Sequence, residues 1–189
     1  MPAVTLLRHG AHRDVGERLT GRALDCGLTD AGRAQVVAAA KLLKQDPPAA
    51  IYSSPRRRTL ETSEIMAERF GLTVTTSEAL DEIDFGEWTG LTFEQLDADP
   101  RWEQWNAHRS EAECPGGERQ PAAQARALAF AFEAAAKHDT APLLVSHCDI
   151  IRSLVCWAER RSLDDIHAVS CEPASLTALD LSPGMADAA

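Results

Sequence analysis

The stretch Leu6-Leu7-Arg8-His9-Gly10 decides the fold of this chain, because an apolar segment ends there in a cation, an imidazole and a glycine. The apolar residues 4–7 predict a buried strand. An arginine offers a rigid fork of donors that matches a phosphate or carboxylate edge. A histidine can attack as a nucleophile or carry protons near neutral pH. The stretch predicts either a binding site at a strand end or simply two polar residues there, and the rest of the chain discriminates between these possibilities.

Segments that alternate between strand and helix follow this stretch. Predicted strands cover residues 4–7, 49–53, 72–76 and 142–146, and predicted helices cover residues 29–44, 55–70, 118–137 and 149–159. Thr29 is typical of a helix N-cap and Gly71 of a helix end. This alternation favours an α/β fold with a mainly parallel central sheet between two layers of helices, a three-layer sandwich. Residues 167–171 and 175–181 are predicted to form two edge strands.

The chain is expected to form a single domain over residues 1–182. Its length of 189 residues suits one domain of ordinary size. Residues 77–117 break the alternation and predict an insertion of loops and short helices over one edge of the sheet. Residues 10–28 predict a long loop, which in a compact domain is usually functional or disordered. Residues 183–189 predict a flexible tail.

Composition and charge narrow the classes of function. The formal net charge of −10 argues against nucleic acid or an anionic membrane as a partner. Neither a secretory signal nor a membrane-spanning stretch is recognised, so a cytoplasmic protein is expected. The five cysteines include no Cys-x-x-Cys pair, which predicts free thiols and no zinc site. The sequence leaves the oligomeric state open.

Polar residues stand at the carboxyl ends of three predicted strands. Arg8 and His9 end the first strand, residues 54–58 with three arginines follow the second, and His147 ends the fourth. Ligands of open α/β sheets bind outside the carboxyl ends of the strands, where residues distant in sequence converge. Two imidazoles and at least two guanidinium groups are therefore expected in one pocket. Such a pocket favours a phosphate group that the arginines hold and one histidine attacks.

An acid must protonate the oxygen that leaves in such a reaction. Glu82 is the best candidate, because its apolar neighbours are expected to raise the pKa of its carboxyl group. Asp81 and Asp84 are competitors on spacing alone.

Six motifs resemble those of the histidine phosphatase superfamily, which has the phosphoglycerate-mutase-like fold. In chain order they are Leu7-Arg8-His9-Gly10, Gly27-Leu28-Thr29-Asp30-Ala31-Gly32-Arg33-Ala34-Gln35, Ser53-Ser54-Pro55-Arg56-Arg57-Arg58-Thr59-Leu60-Glu61-Thr62, Glu82-Ile83-Asp84-Phe85-Gly86-Glu87-Trp88-Thr89-Gly90, Pro115-Gly116-Gly117-Glu118 and Val145-Ser146-His147. One such motif is weak, whereas six in the family's order are specific. The resemblance covers residues 5–179.

The resemblance implies a metal-independent phosphatase, without a cofactor, that hydrolyses a small phosphomonoester through a phosphohistidine. It implies that His9 is the nucleophile, that Arg8, Arg58 and His147 clamp the phosphoryl group, and that Glu82 is the proton donor. The family spacing selects Arg58 among the three consecutive arginines. The expected partner is a small phosphorylated metabolite.

The residues that contact the rest of the substrate are less well marked. Four positions are predicted to do so: Thr20, Gly21, Arg22 and Cys148. The loop after Gly10 departs from the family pattern at Ala11, His12 and Val15, and Cys148-Asp149 replaces the family's usual pair of glycines. Cys148 is either a redox-sensitive thiol or a small residue in a tight turn. The physiological substrate is therefore left open.

Two alternative functions remain at this point. One is a phosphoglycerate mutase, although the family's mutases typically have a longer insertion and lack the Gly-x-Trp-x-Gly run seen at residues 86–90. The other is a non-catalytic phosphate-binding domain on the same fold, because fold alone does not determine function. A binding domain needs neither a nucleophile nor an acid, so the complete set of candidate residues argues against it.

Overall fold

The computed structural model describes residues 2–22 and 25–182, and the predicted tail at residues 183–189 lies outside them. Five strands in this part form one sheet: β1 (Ala3–Arg8), β2 (Ile51–Ser53), β3 (Val74–Thr76), β4 (Leu143–Ser146) and β5 (Leu176–Asp180). Their order is β3-β2-β4-β1-β5, and only β5 runs antiparallel to its neighbour. The prediction of a mainly parallel sheet is confirmed.

Six α-helices accompany the sheet: α1 (Asp30–Leu42), α2 (Arg57–Phe70), α3 (Phe93–Asp97), α4 (Pro100–Ala107), α5 (Gln120–Ala136) and α6 (Cys148–Ala158). The Thr29 hydroxyl caps α1 by accepting a hydrogen bond from the Gly32 N–H at 3.0 Å. Gly71 ends α2 in the left-handed region with a φ of 66°. Both helix boundaries agree with the sequence prediction.

The core lies on both faces of the sheet, because successive strand residues point to opposite sides. Leu7 and Val145 join the cluster that includes residues of α1 and α2. Leu6 and Leu144 join the cluster that includes residues of α5 and α6. The fold is therefore the predicted three-layer sandwich.

Residues 77–117 form two 3-10 turns, Glu78–Leu80 and Gly86–Trp88, together with α3 and α4. Their buried side chains, Trp88 and Trp105 among them, belong to the same cluster as α5 and α6. Because the segment has no separate core, we propose that it is an insertion within one domain.

The predicted strand at residues 167–171 is wrong. The chain instead forms a 3-10 helix over Leu163–Ala168. Leu163 and Ile166 stand three residues apart and are both buried, which fits a helical turn packed against α6 rather than an extended edge. The open side of β1 is taken by β5, which pairs with it from Ala3 to Leu7.

The start of α1 packs against the backbone that follows β1. A Cβ added to Gly32 would lie 2.0 Å from the Ala11 carbonyl oxygen, and one added to Gly10 would lie 2.6 Å from the Gly32 carbonyl oxygen. The Thr29 N–H also donates to the Ala11 oxygen at 3.0 Å. This close approach fixes the chain immediately after His9.

We expect Gly32→Ala to lower the free energy of unfolding by about 1–3 kcal/mol, because the new methyl group forces α1 away from the Ala11 carbonyl. Urea denaturation followed by circular dichroism measures the effect. The control is Lys41→Ala, which removes an exposed side chain from the same helix. Equal stability of the two variants would contradict the proposed constraint.

Candidate active site

The carboxyl ends of the parallel strands bring the predicted catalytic residues together. Arg8, His9, Arg58 and Glu82 line one cleft. His147 is fully buried beside it, with its ring centroid 5.4 Å from that of His9. The convergence predicted from the strand ends is therefore observed.

His9 is held as one tautomer by the backbone. Its Nδ1 lies 2.9 Å from the Gly10 carbonyl oxygen, which can only accept, so Nδ1 carries the proton. The Nε2 lone pair is consequently free. Burial and the charge of Arg58 lower the pKa of His9 well below its usual value, so the imidazole is neutral near pH 7.

A hydrogen-bonded chain fixes the second imidazole. The Arg58 Nη2 donates to His147 Nδ1 at 3.0 Å, which leaves the imidazole proton on Nε2. That Nε2 lies 2.8 Å from the Ser54 hydroxyl, which donates to Asp81 at 2.9 Å. Burial and then Arg58 lower the pKa of His147 well below its usual value.

Arg58 is a buried cation and Arg8 a partly buried one, and neither has a carboxylate partner among the described residues. Arg58 is 1% exposed and donates to the Gly21 carbonyl oxygen at 2.8 Å, and Arg8 donates to the Cys171 carbonyl oxygen. Within the described residues, neither forms an ion pair, and the Nε of each is buried without a hydrogen-bond partner. An unpaired buried charge is unfavourable, so an anion that enters the cleft gains strong binding here.

Glu82 supplies a carboxyl group with a raised pKa. Burial, together with the negative charge of Asp149, raises the pKa of Glu82 to about 7. Its Oε1 accepts from the Ile83 N–H at 3.0 Å, and its own carbonyl oxygen accepts from Arg22 at 2.6 Å and from Arg126 at 3.1 Å. The group is therefore rigidly placed and can donate a proton near neutral pH.

The two competing acids, Asp81 and Asp84, form hydrogen bonds outside the cleft. The Asp81 carboxylate accepts from Arg56 at 2.6 Å and from the Ser54 hydroxyl. Asp84 accepts from the Gly86 N–H at 3.0 Å. Of the three acids considered from the sequence, only Glu82 lines the cleft.

The predicted substrate contacts divide into two groups. Thr20, Gly21 and Cys148 line the cleft. Arg22 does not, because its guanidinium pairs with Glu118 at 2.7 Å and supports the backbone of Glu82. The structure therefore places Arg22 behind Glu82 instead of in the cleft.

Several cleft residues were not identified from the sequence. Arg109 is buried, lies 3.4 Å over the Trp105 ring and pairs with Asp149 at 2.9 Å. Arg152 also lines the cleft. The one sequence feature that pointed to this part of the cleft was Asp149, because it departs from the family's glycine pair. Arg109 stands in the insertion, and no local sequence pattern reveals how the insertion packs against α6.

His12, which departs from the family pattern, is buried and lines the cleft with its ring centroid 5.2 Å from that of His9. Burial and Arg58 lower the pKa of His12 to about 4, so its ring is neutral. His12, Asp14 and Cys26 bring potential metal-ligand atoms within 4.8 Å of one another. The Cys26 sulfur, however, lies 3.8 Å from the Arg58 guanidinium, whose charge opposes a cation. We derive no catalytic step through a metal there.

All five cysteines are free, as the sequence predicts. None of the helices in residues 2–22 and 25–182 combines the length and apolar character that crossing a membrane requires.

Known proteins resemble the chain in sequence. Glucosyl-3-phosphoglycerate phosphatase of Mycobacterium tuberculosis is 35% identical over 162 residues, which cover 80% of this chain and 72% of that protein. Phosphoserine phosphatase 1 of Hydrogenobacter thermophilus is 28% identical over 161 residues, which cover 84% of this chain and 76% of that protein.

Solved structures resemble it as well. The mycobacterial glucosyl-3-phosphoglycerate phosphatase in complex with VO3 superposes with a TM-score of 0.85 at 32% identity, over 95% of this chain and 93% of that one. Bacillus stearothermophilus YhfR gives a TM-score of 0.85 at 29% identity, over 96% of this chain and 92% of that one.

The model of the histidine phosphatase superfamily (branch 1) matches residues 4–188, almost the whole chain. The motifs of this chain, its fold and its relatives all indicate the same family. The chain belongs to the histidine phosphatase superfamily and is a phosphatase that acts on phosphomonoesters.

Proposed function

We propose that this phosphatase transfers the phosphoryl group of a small phosphorylated metabolite to Nε2 of His9 and then to water, without a metal ion. The observation that carries the proposal is the tautomer of His9. The Gly10 carbonyl accepts from Nδ1–H of the neutral His9, so Nε2 carries the lone pair. His9 lines the cleft with Arg8 and Arg58, two guanidinium groups that form no ion pair with any described residue. A neutral imidazole next to bound phosphate is the state that attack on phosphorus requires.

Binding uses the positive charge of Arg8 and Arg58 in the cleft. Arg8 and Arg58 together match the two negative charges of a phosphomonoester and donate to its equatorial oxygens as charge builds up. His147 accepts from Arg58 and keeps that guanidinium in place. We assign His147 to the same clamp.

The chemistry proceeds in two displacements. In the first, Nε2 of His9 forms a bond to phosphorus, the bond from phosphorus to the ester oxygen breaks, and Glu82 gives its proton to that oxygen. In the second, a water oxygen attacks phosphorus, its proton passes to the Glu82 carboxylate, and the bond to His9 breaks. Glu82 and His9 return to their starting states, and the products are the alcohol and inorganic phosphate.

The nature of the relatives suggests which metabolites to test first. The curated relatives are named for glucosyl-3-phosphoglycerate and phosphoserine, and we infer that this chain acts on a compound of that size. The cleft, of about 200 Å³, suits a small metabolite. The net charge of −10 and the five free thiols support a cytoplasmic enzyme that binds neither nucleic acid nor membrane.

The alternative of a mutase is tested by its product. With 3-phosphoglycerate as substrate, we expect release of inorganic phosphate to outpace formation of 2-phosphoglycerate. Phosphorus NMR follows both products in one sample. Isomer formation that exceeds hydrolysis would favour the mutase.

We expect His9→Ala to lower hydrolysis of p-nitrophenyl phosphate by a factor on the order of 10³ or more, because the nucleophile is lost. Wild-type enzyme quenched during turnover of a ³²P-labelled substrate should carry an acid-labile phosphoryl label that His9→Ala lacks. The control, His108→Ala, alters an exposed histidine and should behave like the wild type. Labelling that persists in His9→Ala, or loss of wild-type activity in EDTA, would contradict the mechanism.

We expect Glu82→Gln to slow hydrolysis of an alkyl phosphate by about 10²–10⁴-fold and of p-nitrophenyl phosphate far less, because only the alkoxide needs a proton to leave. The wild-type kcat/KM on the alkyl phosphate should fall as the pH rises through about 7, since the acid form of Glu82 is present below that pKa and lost above it. Glu82→Gln should lack this decline. Equal losses on both substrates would argue against Glu82 as the proton donor.

A further inference from the structure

The cleft holds more positive charge than a phosphate group neutralises. Five arginines of the described chain line it: Arg8, Arg18, Arg58, Arg109 and Arg152. Only two carboxylates, Glu82 and Asp149, line it with them, and the raised pKa of Glu82 keeps this group largely protonated below pH 7. In a chain with a net charge of −10, this local excess of cations calls for a ligand with more than one anionic group.

The positive charges of three of the five arginines are neutralised once phosphate binds. Arg8 and Arg58 take its two charges under the proposed mechanism. The Arg109 guanidinium is already neutralised, since its Nη1 donates to Asp149 Oδ2 at 2.9 Å. Two arginines, Arg18 and Arg152, remain.

These two arginines differ in how firmly they are placed. Arg18 stands at the rim, where it is largely exposed and donates to the Gly90 carbonyl oxygen at 2.7 Å. Arg152 projects from α6 with a side chain only 22% exposed, and its Nε donates to the Val169 carbonyl oxygen at 2.9 Å. Within the described residues the two terminal nitrogens of the guanidinium form no hydrogen bond, so they are available to a ligand in the cleft that Arg152 lines. Among the described residues, Asp149 is the one carboxylate that pairs with Arg152, at 3.8 Å, and it already pairs with Arg109.

We propose that Arg152 binds a carboxylate on the leaving group, so that the enzyme selects phosphomonoesters that also carry a carboxylate. The inference rests on the proposed function and adds the specificity-determining residue. A guanidinium fork matches a carboxylate edge in two parallel hydrogen bonds. One guanidinium beside Asp149 neutralises a single further negative charge, whereas a second phosphate dianion needs two cations and is repelled by Asp149.

The test compares two substrates that differ in one group. 3-Phosphoglycerate and glycerol 3-phosphate share the ester and the neighbouring hydroxyl, and they differ by a carboxylate in place of a hydroxymethyl group. A charged hydrogen bond corresponds to about 10- to 100-fold in kcat/KM, so the wild type should prefer 3-phosphoglycerate by that ratio. Arg152→Gln should bring the ratio near one, and Arg152→Lys should retain part of it.

Arg161→Gln is the matched control, because it removes an exposed arginine just beyond α6 that pairs with Glu159. It should keep the wild-type ratio. Thermal unfolding of each variant verifies its fold, and the preference of the wild type tests the inference even if Arg152→Gln does not fold. A wild type without preference, or a preference that persists in Arg152→Gln, overturns the inference.

Two further substrates separate the remaining outcomes. Wild-type hydrolysis of p-nitrophenyl phosphate tests the proposed function itself; if it is absent, the function and the inference both fail. If it is normal and only the carboxylate preference is missing, the inference alone fails. An Arg152-dependent preference for fructose 1,6-bisphosphate over fructose 6-phosphate, without one for 3-phosphoglycerate, would assign Arg152 to a second phosphate and overturn the proposed carboxylate.

Discussion

The site depends on the burial of Arg58, which has no carboxylate partner in the part of the chain that the structure describes. Its guanidinium connects three segments that are distant in sequence, since it rises from α2, donates to the Gly21 carbonyl and donates to His147 after β4. Its positive charge acts with burial to lower the pKa of both His9 and His147. Under the proposed mechanism, one buried cation thus attracts the phosphate, orders the walls of the cleft and keeps His9 unprotonated. Because these groups are fixed before substrate arrives, little reorganisation is needed during the reaction.

Two adjacent acids stand near Arg58, and in the described part of the chain neither forms an ion pair with it. Asp81 ends the hydrogen-bonded chain that runs from His147 through Ser54, and Arg56 donates three hydrogen bonds to its carboxylate. Glu82 follows Asp81, whose backbone is extended, and the Glu82 carboxyl group lines the cleft. Two adjacent acids thereby take different states, one paired with a cation and the other buried with a pKa near 7. Arg56 accordingly supports the site, although it does not line the cleft.

Much of this geometry follows from local sequence patterns, and the remainder depends on tertiary packing. The end of β1 at Arg8 and the cap at Thr29 were predictable because apolar runs and capping residues act within a few positions. Residues 167–171 misled because their apolar positions also fit a short strand, and only the contact of Leu163 and Ile166 with α6 decides the outcome. Likewise, nothing near Arg22 indicates that it turns toward Glu118. The resemblance to the family motifs selected Arg58 and His147 as catalytic candidates. Their catalytic roles are proposals.

Asp149 links the two ends of the cleft. It stands in the first turn of α6, in place of a glycine of the family pattern, and it pairs with Arg109 while lying 3.8 Å from Arg152. Its charge also adds to burial in raising the pKa of Glu82. A carboxylate bound at Arg152 would bring a further negative charge into the cleft that Glu82 lines, and a like charge disfavours ionisation of a carboxyl group. Binding of a carboxylated substrate would therefore itself favour the protonated form of Glu82. Recognition of the leaving group and protonation of the leaving group would then be coupled through Glu82.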